Sequence, residues 1–516
     1  MSWGPRHGRP VRILRDPTAI RGRTIDAGAR VSWLLRVNRL ARSHGSAAQF
    51  VERLEAHGHL VGQSSLCRYE TAVEPVPLSV VSGYELALGL PRGRLVGVCG
   101  GLDQMFGGAL APAPSPEQLR RPELFDALGE WETRIDSGSM SGSDWARLAE
   151  IVSQPTGPVL PPSLLRSWVR VLVEESMRAV REAYTTRLHA LGLLLADPRI
   201  SRIVLGVLED VSAEPGTQPM VDVLAVLGTS SDPNVVRWLI QRFERAEGEL
   251  RWGVGYALVG LICRETMPAK LVPALTRAVL NVAAEGPGTG LPGFMVAQRL
   301  SAELMQRVVG RLGTYPALTA AGARVQSPAN LREYRAAALQ ESGLEDPMVD
   351  RLLREALSPD FVERRHYSSL LLAASPYRDT LANACLEVLG NGHESYVGDA
   401  AAGCLVYLAR DKHRRRLVEL LATAPRQRRA LLAALSRCGG VPADVDLAGL
   451  PASPEMAPHV VRAAGMSGHP AVHTFATHPE LSGSDLQTTA QWWRRTGPAV
   501  TDTRRDPRPV VMDLAG

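Results

Sequence analysis

The sequence predicts an all-α protein in which a small N-terminal helical module precedes a long array of packed helix pairs. Aromatic residues make up only 5% of the chain, while alanine, leucine, valine and arginine dominate, and this mixture favours helices packed by small and aliphatic side chains. Apolar side chains recur at helical spacing along most of the chain. Short turns marked by Asp-Pro, Ser-Pro or Gly separate these amphipathic stretches.

The chain has 516 residues, too many for one compact core, so more than one structural unit is expected. Proline- and glycine-rich breaks suggest where the units meet. We expect a basic flexible arm over residues 1–26, a helical domain over 27–105, a Pro-rich linker over 106–122, a helical-repeat domain over 123–505 and a C-terminal tail over 506–516.

Positive charge is concentrated at the front of the chain. Residues 1–100 contain 14 Arg and 7 Asp or Glu, a net charge of +7, whereas the whole chain carries +5. The net charge of residues 101–516 is therefore −2. A basic head beside a near-neutral body is typical of a protein whose N-terminal part binds nucleic acid.

The body contains helices of about 8–20 residues, and several begin at a cap residue followed by Pro. Asp197-Pro198 and Asp232-Pro233 are 35 residues apart, and Asp346-Pro347 and Ser358-Pro359 are predicted to have the same role. Proline at the first helical position forfeits no hydrogen bond, so this pair marks a helix start. Helix pairs of this unit length resemble HEAT-like repeats, which stack into an α-solenoid. An irregular helical bundle is the alternative.

Four or five helices are predicted in the head, between Ala29 and Val96. The first covers about 29–43. The second opens at Ser46, where Gln49 can complete a capping box. The third covers 63–70, and the fourth, about 78–88, ends at a glycine closely followed by proline.

The third and fourth of these helices carry a resemblance to a known family. Residues 64–70 (Ser-Ser-Leu-Cys-Arg-Tyr-Glu) and 84–91 (Tyr-Glu-Leu-Ala-Leu-Gly-Leu-Pro) resemble the recognition helix and the next helix of the Cro/phage-repressor (XRE) helix-turn-helix family. The likeness covers about 70 residues. Two features depart from the family pattern: residues 55–62 lengthen the turn by about five residues, and Ala47 replaces a frequent Gln.

The resemblance implies that the third helix lies in the major groove of double-stranded DNA. Gln63 would then pair with adenine, Ser64 and Ser65 would contact bases or phosphate, and Arg68 would reach a guanine or a phosphate. The alternatives are helix capping for Gln63 and Ser64, and for Arg68 an ion pair with Glu70 or a solvated face.

Three further residues of the third helix are expected to serve its packing. Leu66 and Tyr69 would face the core of the head. Glu70 is expected to order a neighbouring arginine, because phosphate repels a carboxylate.

The arm supplies a second set of candidate DNA contacts. Its arginines, including Arg21 and Arg23, could enter an adjacent minor groove. A disordered solubilising tail is the alternative.

Other site chemistry finds little support in the sequence. The six cysteines are scattered, and His57 with His59 makes an incomplete metal site, so no metal or cofactor is expected. The common nucleophile, metalloprotease, kinase and P-loop motifs are missing, so we predict no enzyme. A basic cluster between Lys412 and Arg429 could bind DNA backbone or an acidic partner, or could be a solvated edge.

The sequence thus predicts a cytoplasmic, nucleoid-associated transcriptional regulator that binds double-stranded DNA as a homodimer. Its repeat domain would dimerise or sense a protein or small-molecule effector, and no membrane contact is expected. The alternative is a protein-interaction scaffold with a degenerate head. An enzyme within the repeat domain would require a pocket with perturbed titratable groups.

Overall fold

The structure is a computed structural model that describes residues 13–22, 24–42, 46–112, 121–154, 156–218, 220–286, 289–312, 328–343, 345–391, 395–450 and 455–502. The predicted all-α class is confirmed, with helices packed in series in a solenoid-like arrangement. Extended pairing within these ranges is limited to two isolated bridges, Val76 with Leu110 and Ala179 with Val500.

The head contains five helices. They are α1 (Ala27–Ala41), α2 (Ala47–Ala56), α3 (Gln63–Glu70), α4 (Leu78–Ala87) and α5 (Val96–Phe106).

The described part of the body contains a further 21 α-helices. They are α6 (Arg121–Asp136), α7 (Gly142–Val152), α8 (Pro162–Arg178), α9 (Glu182–Leu195), α10 (Pro198–Ala213), α11 (Val221–Ala225), α12 (Pro233–Arg245), α13 (Gly248–Cys263), α14 (Val272–Ala284), α15 (Leu291–Leu300), α16 (Ala302–Leu312), α17 (Pro328–Ser342), α18 (Pro347–Ala356), α19 (Val362–Ala374), α20 (Arg378–Gly390), α21 (Ser395–Leu408), α22 (Arg414–Thr423), α23 (Arg428–Arg437), α24 (Ala457–Ser467), α25 (Ala471–Thr477) and α26 (Asp485–Thr496).

Three of the four proposed helix starts are confirmed. Asp197, Asp232 and Asp346 each accept a backbone N–H two residues on, at 2.8–2.9 Å, with Pro at the first helical position. The prediction at Ser358-Pro359 is wrong, because α19 begins only after Phe361, whose φ is +53°. The Ser358 hydroxyl instead accepts the N–H of Asp360 within the preceding turn.

Helices of the central body pack on neighbours one or two positions along the chain, which builds two layers. Thus α12 contacts α13 and α14, and α14 contacts α15 and α16. A helix with one apolar stripe buries it most fully when both layers cover it.

The end of this array returns to its beginning. Val500 pairs with the backbone at both sides of Ala179, at 3.0 Å in each hydrogen bond. Asp502 accepts a hydrogen bond from Arg187 at 2.8 Å, and Arg462 of α24 reaches Glu249 of α13 at 2.7 Å. The first and last parts of the body are therefore packed together, whereas an open solenoid leaves its ends apart.

Helix α5 of the head lies among helices of the body and contacts α9, α13 and α19. A Cβ atom at Gly97 would lie 2.4 Å from the Thr185 hydroxyl, and one at Gly100 would lie 2.5 Å from the His189 ring. Only glycine permits this approach. The predicted boundary over residues 106–122 is therefore not a boundary in packing, since the head is joined to the body through its own last helix.

Glu85 of α4 fixes where α5 begins. Its carboxylate accepts the backbone N–H groups of Gly93, Leu95 and Val96 at 2.8, 2.5 and 2.9 Å. Burial raises the pKa of Glu85 to about 7, although these three hydrogen bonds act to lower it. The carboxylate supplies the acceptor that the first turn of α5 lacks, since that turn has no side-chain cap of its own.

The most buried charge in the head is the guanidinium of Arg30 on α1, which has no exposed surface. It contacts Asp16 of the arm at 2.7 Å and forms two hydrogen bonds to Glu355 of α18, at 2.7 and 2.8 Å. Burial alone would raise the pKa values of both carboxyls, but the charge of Arg30 outweighs it and both pKa values are lowered. This ion triad joins arm, head and body.

The arm is held further by Arg364 of α19. Its guanidinium donates hydrogen bonds to the carbonyl oxygens of Ala19, Ile20, Gly22 and Thr24, three of them at 2.7–3.2 Å. Residues 13–22 and 24–26 were predicted to belong to a flexible arm. In the structure, arginines of the body donate hydrogen bonds to the carbonyl groups of five of these residues, Thr18, Ala19, Ile20, Gly22 and Thr24.

We expect Arg30→Leu to lower the free energy of unfolding by about 3–5 kcal/mol, because it leaves the buried Asp16 carboxylate without its counter-charge and removes two charge-assisted hydrogen bonds from Glu355, which keeps Arg351 at 2.8 Å. The midpoint of urea denaturation would measure this. Arg166→Leu is the matched control, since it removes an arginine from an exposed pair with Asp210, and it should cost less than about 1 kcal/mol. Equal effects of the two substitutions would contradict the role of Arg30.

The same triad predicts sensitivity to acid. The pKa values of Asp16 and Glu355 lie below their ordinary values of 3.8 and 4.5 in the folded state, so the unfolded chain binds protons first as the pH falls. Their contribution should be complete above about pH 4.5 and should be lost as the pH drops through the lowered pKa values. The urea midpoints of the wild type and Arg30→Leu, measured between pH 3 and 7, should therefore converge at the acid end. A difference that stays constant with pH would contradict the proposed role of Asp16 and Glu355.

Candidate functional site

Helix α3, which carries the predicted DNA contacts, has the bounds expected from the sequence, Gln63–Glu70. Gln63, Ser64 and Arg68 are exposed and Ser65 is partly exposed. Leu66 is fully buried, as predicted, and Tyr69 is partly buried. The structure thus places four predicted contact residues on one helix, with its apolar residue turned towards α1 and α2.

The start of α3 has no side-chain cap. Gly62 is the N-cap residue, and neither Gln63 nor Ser64 bonds back to the helix end. The proposed capping role of these two residues is therefore not observed. By contrast, Ser46 and Gln49 form the predicted capping box of α2, with bonds of 3.2 and 3.3 Å.

Glu70 holds α3 against the rest of the head. The buried carboxylate accepts two hydrogen bonds from Arg39 of α1, both at 2.5 Å, and a third from the Tyr84 hydroxyl of α4 at 2.7 Å. Burial would lower the pKa of Arg39, but the bonds to Glu70 outweigh it and the pKa is raised. The prediction that Glu70 orders a neighbouring arginine is confirmed.

Sequence reasoning did not identify Arg39 or Tyr84 as positioning residues. Tyr84 belongs to the motif at 84–91, so a local feature of the sequence could have identified it. Arg39 lies 31 residues before Glu70, and nothing local links the two.

Arg68 forms its ion pair with Glu74, at 3.0 Å, and not with Glu70. It also donates a hydrogen bond to the Ser65 hydroxyl at 3.2 Å. The two paired side chains keep 45% and 42% of their surface exposed, so the pair contributes little to stability. Arg68 can exchange Glu74 for another anion at small cost.

Arg21, a predicted contact residue of the arm, lies beside the body and not beside α3. Arg21 lies 3.9 Å from Asp360, in the turn before α19 of the body, and its side chain is 56% exposed. Arg23 lies outside the described residues. Residues 1–26, with six Arg and two Asp, account for +4 of the net charge of +7 in residues 1–100.

Three of the seven basic residues between Lys412 and Arg429 form ion pairs in the described structure. Lys412 lies 2.9 Å from Asp379, and Arg415 and Arg416 share Glu419 at 3.3 and 2.9 Å. These exposed pairs are typical of a solvated edge.

Within the described ranges, no cluster of three or more His, Cys, Asp or Glu residues is arranged to hold a metal ion. Among the same residues, none of the helices is both long enough and apolar enough to span a bilayer.

Comparison with known proteins gives no family assignment. No protein-family model matches the chain, and no curated protein matches it. Among solved structures, the chain is similar to an engineered protein determined by a structural genomics consortium, with 14% identity over 72% of this chain and 98% of the other. The TM-score is 0.18, too low for the match to inform fold or function.

We expect Glu70→Ala to lower the free energy of unfolding by about 3 kcal/mol or more, because it leaves Arg39 and the buried Tyr84 hydroxyl without an acceptor. Glu74→Ala, which removes the exposed partner of Arg68, should change it by less than about 0.5 kcal/mol. Urea denaturation followed by tryptophan fluorescence would compare the two. Similar costs for both variants would show that α3 is not held through Glu70.

Proposed function

We propose that this chain is a sequence-dependent regulator that binds double-stranded DNA through α3. The observation that carries the proposal is the division of α3 into two faces. Gln63, Ser64 and Arg68 face outward, while Leu66 and Glu70 hold the helix from behind. This division supports the proposal, which otherwise depends on the resemblance of residues 64–70 and 84–91 to the XRE helix-turn-helix family.

In this proposal the N-terminal end of α3 enters the major groove. Gln63 pairs with an adenine edge, Ser64 and Ser65 contact bases or phosphate, and Arg68 leaves Glu74 for a guanine edge or a phosphate. The free backbone N–H groups at the uncapped start of α3 favour a nearby phosphate.

The arm and the body have supporting roles in this proposal. Arg21, more than half exposed, and Arg23 contribute salt-sensitive contacts to the DNA backbone or the minor groove. A single head buries too little surface for tight specific binding, so two copies bind a two-fold site as a homodimer. The body receives a protein or small-molecule effector, and the regulator is associated with the nucleoid in the cytoplasm.

Selection of bound fragments from genomic DNA by the full-length protein tests this proposal. We expect a shared sequence motif, and we expect Gln63→Ala and Arg68→Ala each to weaken binding to it by about 1–3 kcal/mol, roughly 5- to 150-fold. Arg147→Ala is the matched control, because Arg147 forms a half-exposed pair with Glu150 on the body, and its loss removes the same charge. That control should bind as the wild type does.

Fragments without a motif, bound equally by all variants, would overturn the proposal. The chain would then be better described as an interaction scaffold whose head no longer contacts bases.

A further inference from the structure

A cavity of about 50 Å³ lies where the head meets the body. It is bordered by the segment between α4 and α5, by the start of α9, by the facing ends of α19 and α20, and by the ends of α21 and α23. Four arginines and one glutamate line it, a net formal charge of +3. They are Arg94, Arg181, Arg378, Arg437 and Glu182.

Arg378 is buried and Arg94 is partly buried, and the carboxylates whose negative charge acts on both, Glu182 and Asp379, form no ion pair with either in the described structure. Arg378 keeps only 7% of its surface exposed and donates to the carbonyl oxygens of Tyr407, Leu408 and Ala409, at 3.0–3.3 Å. Arg94 has one weak bond, to the carbonyl of Ser375 at 3.4 Å. Neither forms an ion pair with a described carboxylate.

This arrangement is electrostatically unfavourable as it stands. Burial, together with the positive charge of Arg410, lowers the pKa values of Arg94 and Arg378 to about 10, although the carboxylates of Glu182 and Asp379 act to raise both. A buried cation without a partner costs several kcal/mol, so native proteins pair such groups. An anion bound between the two guanidinium groups would offset this cost.

Two further features belong to residues that line the cavity. The Nε atoms of Arg94 and Arg181 are buried and have no hydrogen-bond acceptor in the described structure. Arg181 is held at a φ of +58°, which is unfavourable for any residue other than glycine, and it is the N-cap of α9 without a side-chain cap. The positive end of the α9 dipole thus borders the same space.

The other two arginines of the cavity, Arg437 and Arg181, already form ion pairs. Arg437 lies 4.5 Å above the Tyr184 ring and 5.3 Å from the Tyr407 ring, and its charge is balanced by Asp222 at 3.5 Å. The Tyr407 hydroxyl is 3.0 Å from His366 Nδ1. Arg181 is likewise paired with Asp411 on its other side. Arg94 and Arg378 are consequently the two cavity arginines that form no ion pair in the described structure.

We propose that this cavity binds a phosphoryl oxyanion, either inorganic phosphate or the phosphate group of a small monoester, between Arg94 and Arg378. The volume is that of a few water molecules, which suits one such group. Arginine forks and helix N-termini are the donors that recognise phosphate. This proposal does not depend on DNA binding.

The position of the cavity gives the ligand an influence on the head. Arg94 belongs to the segment between α4 and α5, whereas Arg378 belongs to the body. An anion held by both arginines adds a contact between the two parts.

Calorimetric titration of the full-length protein in chloride buffer, with inorganic phosphate as one arm and glycerol 3-phosphate as the other, tests the proposal. We expect saturable binding of at least one probe, and a rise in Tm of at least about 2 °C at saturation. Binding of phosphate alone would identify the free anion, and tighter binding of the ester would identify the monoester.

Arg94→Met is the decisive variant. It should weaken the Kd at least about tenfold, and in phosphate-free chloride buffer its Tm should equal or exceed that of the wild type, because an unpaired buried charge has been removed. Arg94→Lys should bind with intermediate affinity. Arg415→Met, at an exposed arginine of α22, is the control and should leave binding unchanged.

Two results would overturn the proposal. One is the absence of binding by the folded wild type for both probes. The other is an Arg94→Met protein that is folded by circular dichroism and binds the probe with the wild-type Kd.

Discussion

The guanidinium of Arg30 connects three parts of the chain that the sequence shows as separate. Its two carboxylate partners come from the arm and from α18, the second of them 325 residues away. A charge in this environment is tolerated only while both partners remain in place. The position of α1, and with it the surface on which α3 packs, therefore depends on a residue of the body. Asp16 of the arm is the other carboxylate partner of Arg30. Arg364 binds the arm by donating hydrogen bonds to its backbone carbonyl groups.

Buried arginines are used in this way throughout the molecule. Arg187 joins Glu175 to Asp502, and Arg299 pairs with Glu363 while donating to the Gly22 carbonyl at 2.8 Å. Arginine suits this role because its planar fork can satisfy several acceptors at once. The cavity arginines Arg94 and Arg378 differ in forming no ion pair with a described carboxylate, and this difference supports the proposed anion site.

Local features of the fold could be predicted from the sequence, whereas long-range ones could not. The bounds of α3 and three Asp-Pro helix starts follow from capping and turn chemistry within a few residues. The docking of α5 depends on pairs such as Gly100 with His189, far apart in sequence, although glycines inside an apolar helix do suggest a close neighbour. The error at Ser358-Pro359 has a local cause, since the positive φ of Phe361 delays the helix. The cavity is lined by five separate segments of the chain, and no spacing of residues in the sequence predicts it.

The return of the final segment onto α8 and α9 has a consequence for how the protein is made. Arg187 is synthesised 315 residues before its partner Asp502, and the separation in sequence between Ala179 and Val500 is larger still. Contacts of such sequence separation form late and slow the folding of a chain. The first half of the body must persist during translation with its arginines solvated and part of its apolar surface uncovered. Synthesis of this protein should therefore depend more on chaperones than that of an open repeat array, whose neighbouring units can pack as they emerge.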